Sequence, residues 1–486
     1  MGIVQNQTFK NTITTYLGFG IGAINTLFLY TEFMSETYYG LVTYILSTAY
    51  VMMPLLAFGV HNTIVKFYSS YKTRNSINSF LTWMLFLPLL LIIPMGLIGH
   101  FSFETISNFL SQKNPIIKDF VWLIYISAIA FSYFEVFYAW TKVHMNSVFG
   151  NFLMEVFHRA GITILLFCLY FDIIYIETFI YAVVGVYILR TLTMMIYAFY
   201  IRRPIFRFGK FPNMIPVFKY SALIILAGSV ANIILEIDKF MIGQYIEIEK
   251  VAYYGVAIYI ATVIGVPARS MHQITSPITA KFLNDKNREG LIDLYKKSSL
   301  NLFIISGFIF LLIILNINQL YEIIPEDYTG GLLVVLLISV AKLSDNILGN
   351  NNAILFNSDY YRVVLALGVL LAVMTVVFNM LLIPNYGING AGIATFISIV
   401  VYNTAKVGFV YFKFKMSPFC VNSVKTLVLI LFLVGIFYFW DFPFHPIINI
   451  GIKSLLIGLS YGLIVYKMNL SEEINILFDK FLKKSA

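Results

Sequence analysis

The sequence predicts an all-α integral membrane protein of about 14 transmembrane helices, built as two parallel-related six-helix lobes plus two C-terminal helices. Three observations carry this. The 486 residues are 59% hydrophobic and only 12% charged, with a mean hydropathy of +0.82, whereas a soluble domain is roughly one-quarter charged. The apolar residues fall into runs of about 20, the length that crosses a bilayer as a helix. And YYGLVTYI at 38–45 returns as YYGVAIYI at 253–260, five of eight letters shared at a spacing of 215.

Dividing the chain where polar, Gly, Pro or charged residues interrupt the apolar runs places spans near 11–31, 40–64, 79–99, 119–140, 148–170, 178–200, 217–241, 251–273, 298–317, 330–350, 362–383, 390–412, 424–440 and 446–466. The chain begins MGIVQNQTFKN, without the basic, apolar and small-residue order of a cleavable signal, so the first span is expected to be retained. Lys and Arg accumulate in cytosolic loops, which gives a second test of the count. With both termini cytosolic, 23 of the 33 basic residues face the cytosol, in groups such as Lys66/Lys72/Arg74 and Arg202/Arg203/Arg207/Lys210. Only Lys113, Lys118 and Lys250 fall outside, and seven lie within spans. The net charge of +9 is thus mostly topology, and no nucleic-acid partner is expected. Cys168 and Cys420 have no neighbouring thiol and are assigned no chemistry.

The repeat extends beyond eight letters. A shift of 215 lays Lys66-Phe67 on Lys281-Phe282, and spans 79–99, 119–140, 148–170 and 178–200 on 294–314, 334–355, 363–385 and 393–415. Six helices per repeat is an even number, so both repeats enter the membrane in the same orientation, related by an axis along its normal. Transporters built this way hold their site between the halves. The expected division is a lobe at 1–215, a lobe at 216–415, and two further spans with a cytosolic tail at 416–486. Gly40 and Gly255 open the second helix of each lobe, where each is expected to allow a tight entry.

Twelve ionisable residues lie within the spans, each costing roughly 2.5–3.5 kcal/mol at the bilayer centre unless it meets a partner or water. The cations are Arg159, Arg190, Lys239, Arg269, Lys342, Lys406 and Lys453. The acids are Glu135, Glu155, Glu236, Asp238 and Asp345. Glu155/Arg159, Lys342/Asp345 and Glu236/Lys239 have the spacing of same-helix pairs. Arg190, Arg269, Lys406 and Lys453 have no acid within a turn on their own helix. Arg190 and Lys406 are one residue out of register under the shift, so each lobe places a cation in its sixth helix. Snorkelling to the interface is the competing reading for Lys453, Lys406 and Arg269. Arg269, Arg190, Arg159, Lys342 and Lys406 are therefore the candidates for a cationic cavity that grips an anionic, phosphorylated head group, a task suited to the guanidinium fork. Glu236, Asp238, Glu155 and Asp345 are the candidates for ion coupling. His158 faces Glu155, as a proton-sensitive group or as a helix–helix hydrogen bond.

No GxxxxGK[ST] occurs, and the longest cytosolic loops hold about twenty residues, so no ATPase is expected and movement must be secondary. A membrane enzyme would need an acid/base or metal constellation in a sizeable loop, and no outer loop exceeds about twenty residues. No cofactor or metal is expected.

Four segments carry a family resemblance: FMSETYYGLVTY with Glu36, Tyr39 and Gly40; LLAFGVHNTIVKFYSSY with Gly59 and Lys66; LEIDKFMIGQYIEIEKVAYYGVAIY with Asp238, Lys239, Gly243, Tyr254 and Gly255; and NMLLIPNYGINGAGIAT with Asn379, Pro384, Gly387, Gly390, Ala391 and Ala394. From about residue 9 to 470 the chain resembles the polysaccharide transporter (Wzx-type flippase) branch of the multidrug/oligosaccharidyl-lipid/polysaccharide exporter superfamily. The resemblance implies a bacterial inner-membrane protein that flips an undecaprenyl-pyrophosphate-linked oligosaccharide for O-antigen, capsule or exopolysaccharide assembly. Membrane lipids, a polysaccharide polymerase and chain-length proteins are the implied partners. Fourteen spans also resemble the lipid II flippase branch, but the arginines that branch places in its first and second helices are missing here. The alternative is a multidrug exporter of the same superfamily, whose usual first-helix carboxylate is likewise missing. Tyr39, Tyr44, Tyr254 and Tyr259 are candidates for stacking on sugar rings, against the competing roles of interfacial belt and packing.

Overall fold

The computed structural model describes residues 2–227 and 230–484, and the elements among these residues are all helices. The first six spans are α1 (Lys10–Phe33), α2 (Glu36–Leu56), α3 (Arg74–Phe101), α4 (Pro115–Lys142), α5 (Val148–Tyr170) and α6 (Ile176–Ile201). The seventh span is occupied by α7 (Met214–Ala227) and α8 (Val230–Tyr245). There follow α9 (Glu249–Asn284), α10 (Arg288–Ile323) and α11 (Glu326–Asn346). The chain closes with α12 (Tyr361–Phe414), α13 (Val421–Phe437), α14 (Pro446–Lys467) and a terminal α15 (Glu472–Lys484).

Among the described residues, eleven stretches are long and apolar enough to cross a membrane, and Met214–Ile225 and Val421–Phe437 are shorter apolar helices. The 54 residues of α12 make two of the predicted spans. As one straight helix they would run about 80 Å, against a hydrocarbon core of about 30 Å. The backbone breaks at Gly387 (φ 56°, ψ −137°), a left-handed conformation that glycine adopts without penalty. Beyond the break the chain folds back closely enough that a Cβ on Gly390 would overlap the Leu382 carbonyl. A second left-handed glycine, Gly59 (φ 62°), separates α2 from the short helix Val60–Phe67, and the Ser221 hydroxyl donates to the Phe58 carbonyl at 2.7 Å.

The chain forms two compact units: Met1–Gly255 with Thr375–Ala391, and Val256–Met374 with Gly392–Ala486. The first has a core around Phe80, Met84, Phe134, Trp140, Leu153 and Met194, joining α3, α4, α5 and α6. In the second, α10, α13 and α14 pack through Leu311, Leu315, Ile430, Leu433, Ile457 and Tyr461.

The doubled YYG divides into two roles. A Cβ on Gly40 would overlap the Ile248 carbonyl oxygen, and one on Gly243 would lie 2.5 Å from the Tyr44 ring, so small residues let α2 approach α8 and the turn after it. A Cβ on Gly255 would sit 3.4 Å from the Thr43 methyl, an ordinary contact, so the tight entry expected of both glycines is required only of Gly40. The corner is also tied by polar bonds: Thr37 donates to Glu249 at 2.6 Å, and the Tyr253 hydroxyl donates to Glu36. Gly40→Ala is expected to destabilise the protein by about 2 kcal/mol through overpacking, and Gly255→Ala by clearly less, since its added methyl meets only an ordinary contact. Thermal unfolding of the two purified variants in one detergent measures the difference.

Candidate functional site

In the first unit the buried face of α6 runs Phe179, Val183, Tyr187, Arg190, Met194 and Ala198. Arg190 thus projects from an otherwise apolar stripe and is only 2% exposed. Its guanidinium carbon lies 4.1 Å from the centroid of Phe134, 4.9 Å from Tyr187 and 5.5 Å from Phe131, a box of ring faces that substitutes for water around the cation. Arg190 also lies close enough to the Tyr50 hydroxyl of α2 to act on it electrostatically, as do Glu135 of α4 and Glu236 of α8.

Beside this box, α5 carries a π-helical turn at Leu153–Phe157 and α1 carries one at Asn25–Leu29. The widened turns let the two helices exchange bonds. Arg159 donates to the Glu155 carboxylate at 2.9 Å and to the Glu155 carbonyl at 2.7 Å, the Asn25 amide donates to the Arg159 carbonyl at 2.9 Å, and Thr163 donates to Asn25 at 2.7 Å. The expected Glu155/Arg159 pair therefore forms on its own helix. The His158 ring lies tilted against Tyr187, one of the rings that cage Arg190, with centroids 5.3 Å apart.

On α8, Lys239 pairs with Glu236 at 3.1 Å, as the spacing predicts. Asp238 is wholly buried and accepts from the Tyr254 hydroxyl of α9 and from the Asn379 amide of α12 at 2.7 Å. All three residues belong to the segments that carry the family resemblance. They fasten three helices whose contributions are 16 and 141 residues from Asp238 in the chain.

The second unit gathers a different charge set. Lys406 of α12 is 1% exposed; its ammonium donates to Asp345 of α11 at 3.5 Å and to Asn352 at 3.2 Å, and lies 4.2 Å from the centroid of Tyr402. Snorkelling is excluded for this lysine: its nitrogen turns inward to partners. Asp345 pairs across helices with Lys406, while Lys342, its neighbour at i−3, acts on it electrostatically. Arg269 of α9 is exposed and lies close enough to act on Lys342, and His272, one turn beyond Arg269, acts with both Asp345 and Lys406. Lys342 and Lys406 are thereby brought to one carboxylate, whose side chain is 45% exposed, and Arg269 acts on the group through Lys342. Lys453, another snorkelling candidate, is also buried and pairs at 2.9 Å with Asp441, which takes a second bond from Gln319 at 2.6 Å.

Sequence reasoning missed Tyr50, His272, Asn352 and Tyr402 as partners of these charges. Two left a readable signal, since Tyr402 precedes Lys406 by one turn and His272 follows Arg269 by one. The stacking candidates Tyr39, Tyr44 and Tyr254 are buried in packing: Tyr39 stacks on Tyr30 at 4.6 Å, Tyr44 accepts from Gln244 at 2.7 Å, and Tyr254 bonds Asp238.

A family model described as polysaccharide biosynthesis protein matches residues 4–283, more than half of the chain. The chain belongs to this family. As a polysaccharide biosynthesis family member it shares the fold of solved transporters. It is similar to the lipid II flippase MurJ in its inward closed conformation, with a TM-score of 0.71 and 15% identity over 95% of this chain and 99% of that one. It is also similar to a multidrug resistance MATE family transporter of the MOP superfamily in an inward-facing conformation, with a TM-score of 0.56 and 12% identity over 90% and 96% of the two chains. A third likeness is to a MOP superfamily transporter from Pyrococcus furiosus described as having a binding pocket of reverse polarity, with a TM-score of 0.56 and 15% identity over 85% and 96%. No curated protein matches the sequence. The family member is thus a multi-pass membrane protein with a MurJ- and MATE-like transporter fold.

Proposed function

We propose that this protein flips a polyprenyl-pyrophosphate-linked oligosaccharide across the bacterial cytoplasmic membrane by alternating access, supplying O-antigen, capsule or exopolysaccharide assembly. The supporting observation is the group in the second unit, where Asp345 pairs with Lys406 and is acted on by Lys342 and His272, with Arg269 acting in turn on Lys342. Cations gathered at membrane depth are suited to an anionic ligand, and a pyrophosphate is the anion that a lipid-linked glycan carries. The sugar chain cannot cross about 30 Å of hydrocarbon unaided, whereas the polyprenyl tail can stay in lipid. The substrate grip is therefore assigned to Arg269, Lys342 and Lys406. Arg159 and Arg190, already held by Glu155 and by the aromatic box, frame the first unit. The first unit concentrates Glu135, Glu155, Glu236 and Asp238, and ion coupling is assigned there. Both termini lie in the cytosol on the charge distribution.

A multidrug exporter of the same superfamily is the alternative. It would use a carboxylate in its first helix to take a cation, and from Lys10 to Thr31 α1 has no acid. The deciding experiment is deletion of the gene in its host. Loss of surface glycan, with lipid-linked units accumulating on the cytosolic leaflet and rescue by the wild-type gene, is the expected result. Intact surface glycan together with new drug sensitivity would overturn the proposal in favour of the exporter.

A further inference from the structure

Residues 202–213, RRPIFRFGKFPN, leave α6 outside any helix and lie back along the first turns of α3. The Thr82 hydroxyl of α3 donates to the Ile205 carbonyl at 3.1 Å and accepts from the Arg207 amide at 3.0 Å, and the Trp83 indole donates to the Gly209 carbonyl at 3.3 Å. Arg202 fixes the start of this strap, donating to the Tyr68 hydroxyl and to the Asn78 side chain, both at 3.0 Å. Pinned in this way, the strap presents two kinds of side chain. Ile205, Phe206 and Phe208 are 45%, 59% and 62% exposed, and Arg203, Arg207 and Lys210 between and beside them are exposed as well. Phe206 and Phe208 each set one edge against Phe86, at 5.7 and 5.2 Å between centroids, and leave the rest of the ring uncovered. No acid occurs between Glu177 and Glu236 or between Glu36 and Glu104, so neither the strap nor the stretch of α3 beneath it supplies a carboxylate to these cations. Arg202, Arg203, Asn78 and Thr82 line a cleft that Trp140 of α4 also lines. Trp140 is 2% exposed and its indole N–H is buried without an acceptor, a donor left over beside two guanidinium groups.

We infer that the strap is a binding surface for anionic phospholipid of the cytosolic leaflet, with Arg203 and Arg207 on the headgroup phosphate and Phe206 and Phe208 against the acyl region. On the charge-based topology α6 runs towards the cytosol, so the strap lies at the inner boundary of the bilayer, where a negatively charged leaflet attracts a juxtamembrane basic cluster. The charge rule for topology asks only that cations lie on that side. It requires neither exposed rings interleaved with them nor a segment bonded along a spanning helix. That combination matches both layers of a lipid at once, apolar rings at the glycerol and acyl boundary and cations at the phosphates. A free phosphate would meet the charges and leave the rings in water. The Trp140 N–H offers a further donor to a headgroup oxygen that enters the cleft. None of these residues belongs to the substrate grip, so the inference depends on the topology and not on which molecule is flipped.

The test is native mass spectrometry of the purified full chain, titrated in neutral detergent with phosphatidylglycerol or with phosphatidylcholine of the same acyl chains. Wild type is expected to bind its first phosphatidylglycerol more tightly than its first phosphatidylcholine. Arg203→Gln combined with Arg207→Gln should weaken phosphatidylglycerol about 25-fold, about fivefold for each charge lost, and leave phosphatidylcholine unchanged. Arg203→Lys combined with Arg207→Lys keeps both charges and should stay within about twofold of wild type. Phe206→Ser combined with Phe208→Ser should weaken both lipids alike. Equal affinity of wild type for the two lipids overturns the inference, and so does a phosphatidylglycerol preference that survives the glutamine pair. A lysine pair as weak as the glutamine pair overturns it too, by making the arginines structural, and displacement of the lipid by inorganic phosphate would make the strap a site for the free anion instead. Should the glutamine pair not be recovered in folded form, Arg207→Gln alone carries the same test with a loss of about fivefold.

Discussion

Replacing Arg269 with alanine is expected to leave the protein inserted and folded while lowering delivery of lipid-linked glycan to the outer leaflet by about a hundredfold. The two halves of this expectation have separate causes. Arg269 is exposed, so its removal opens no packed core, and substitutions of that kind change stability by no more than about 0.5 kcal/mol. The guanidinium can grip two phosphate oxygens at once, and each charged hydrogen bond contributes roughly 1.5–3 kcal/mol. Arg269→Lys keeps the charge without the fork and should fall between alanine and wild type. Arg190→Ala contrasts with it. Both substitutions abolish a membrane cation, but Arg190 is buried among Phe131, Phe134 and Tyr187, so its loss leaves a void inside that box of rings. A drop in both thermal stability and transport is expected there, a different outcome from the transport defect alone that position and charge would suggest. Membrane abundance, unfolding midpoint and pulse-labelled surface glycan, measured on the same strains, separate the two. Full transport by Arg269→Ala would remove it from the substrate grip.

Asp238→Ala is expected to have the largest effect on folding, a loss of about 3–5 kcal/mol, in the range for breaking a buried, hydrogen-bonded charge site. The carboxylate is wholly buried and serves donors from two other helices, so alanine leaves the Tyr254 hydroxyl and the Asn379 amide without that acceptor in an apolar interior. Asp238→Asn keeps one carbonyl oxygen and should lose less. Unfolding midpoints in detergent, read beside the recovered yield of monodisperse protein, test this. A stable Asp238→Ala with transport uncoupled from its ion would instead give the residue a coupling role without a structural one.

The span pattern was legible because it depends on local composition. Runs of apolar residues, loop cations and a 215-residue period are all visible without contacts, and even the reversal at Gly387 lies in a stretch whose Pro and Gly mark a break. Partners across helices were not legible. Same-helix spacing identified Glu155/Arg159 and Glu236/Lys239, but the same rule matched Lys342 to Asp345, whose salt bridge goes to Lys406, 61 residues away. Spacing along one helix carries no information about which face a second helix presents. The same limit explains two of the three snorkelling candidates, Lys406 and Lys453, which look unpaired until Asp345 and Asp441 are brought to them by folding. The glycines show it again: Gly40 and Gly255 are equivalent in the repeat, yet only Gly40 lies against another backbone. The π-helical turns of α1 and α5 left no compositional trace, since a turn of five residues is widened by what packs against it.

The most direct measurement of the proposed activity is translocation in proteoliposomes containing the purified protein alone. Two probes of similar size are compared, a fluorescent short-chain polyprenyl-pyrophosphate glycan and a lipophilic cationic dye. The expected result is movement of the pyrophosphate-linked glycan, lost with Arg269→Ala, and no movement of the dye. Transport of the dye with the glycan left in its original leaflet would contradict the anionic-substrate reading.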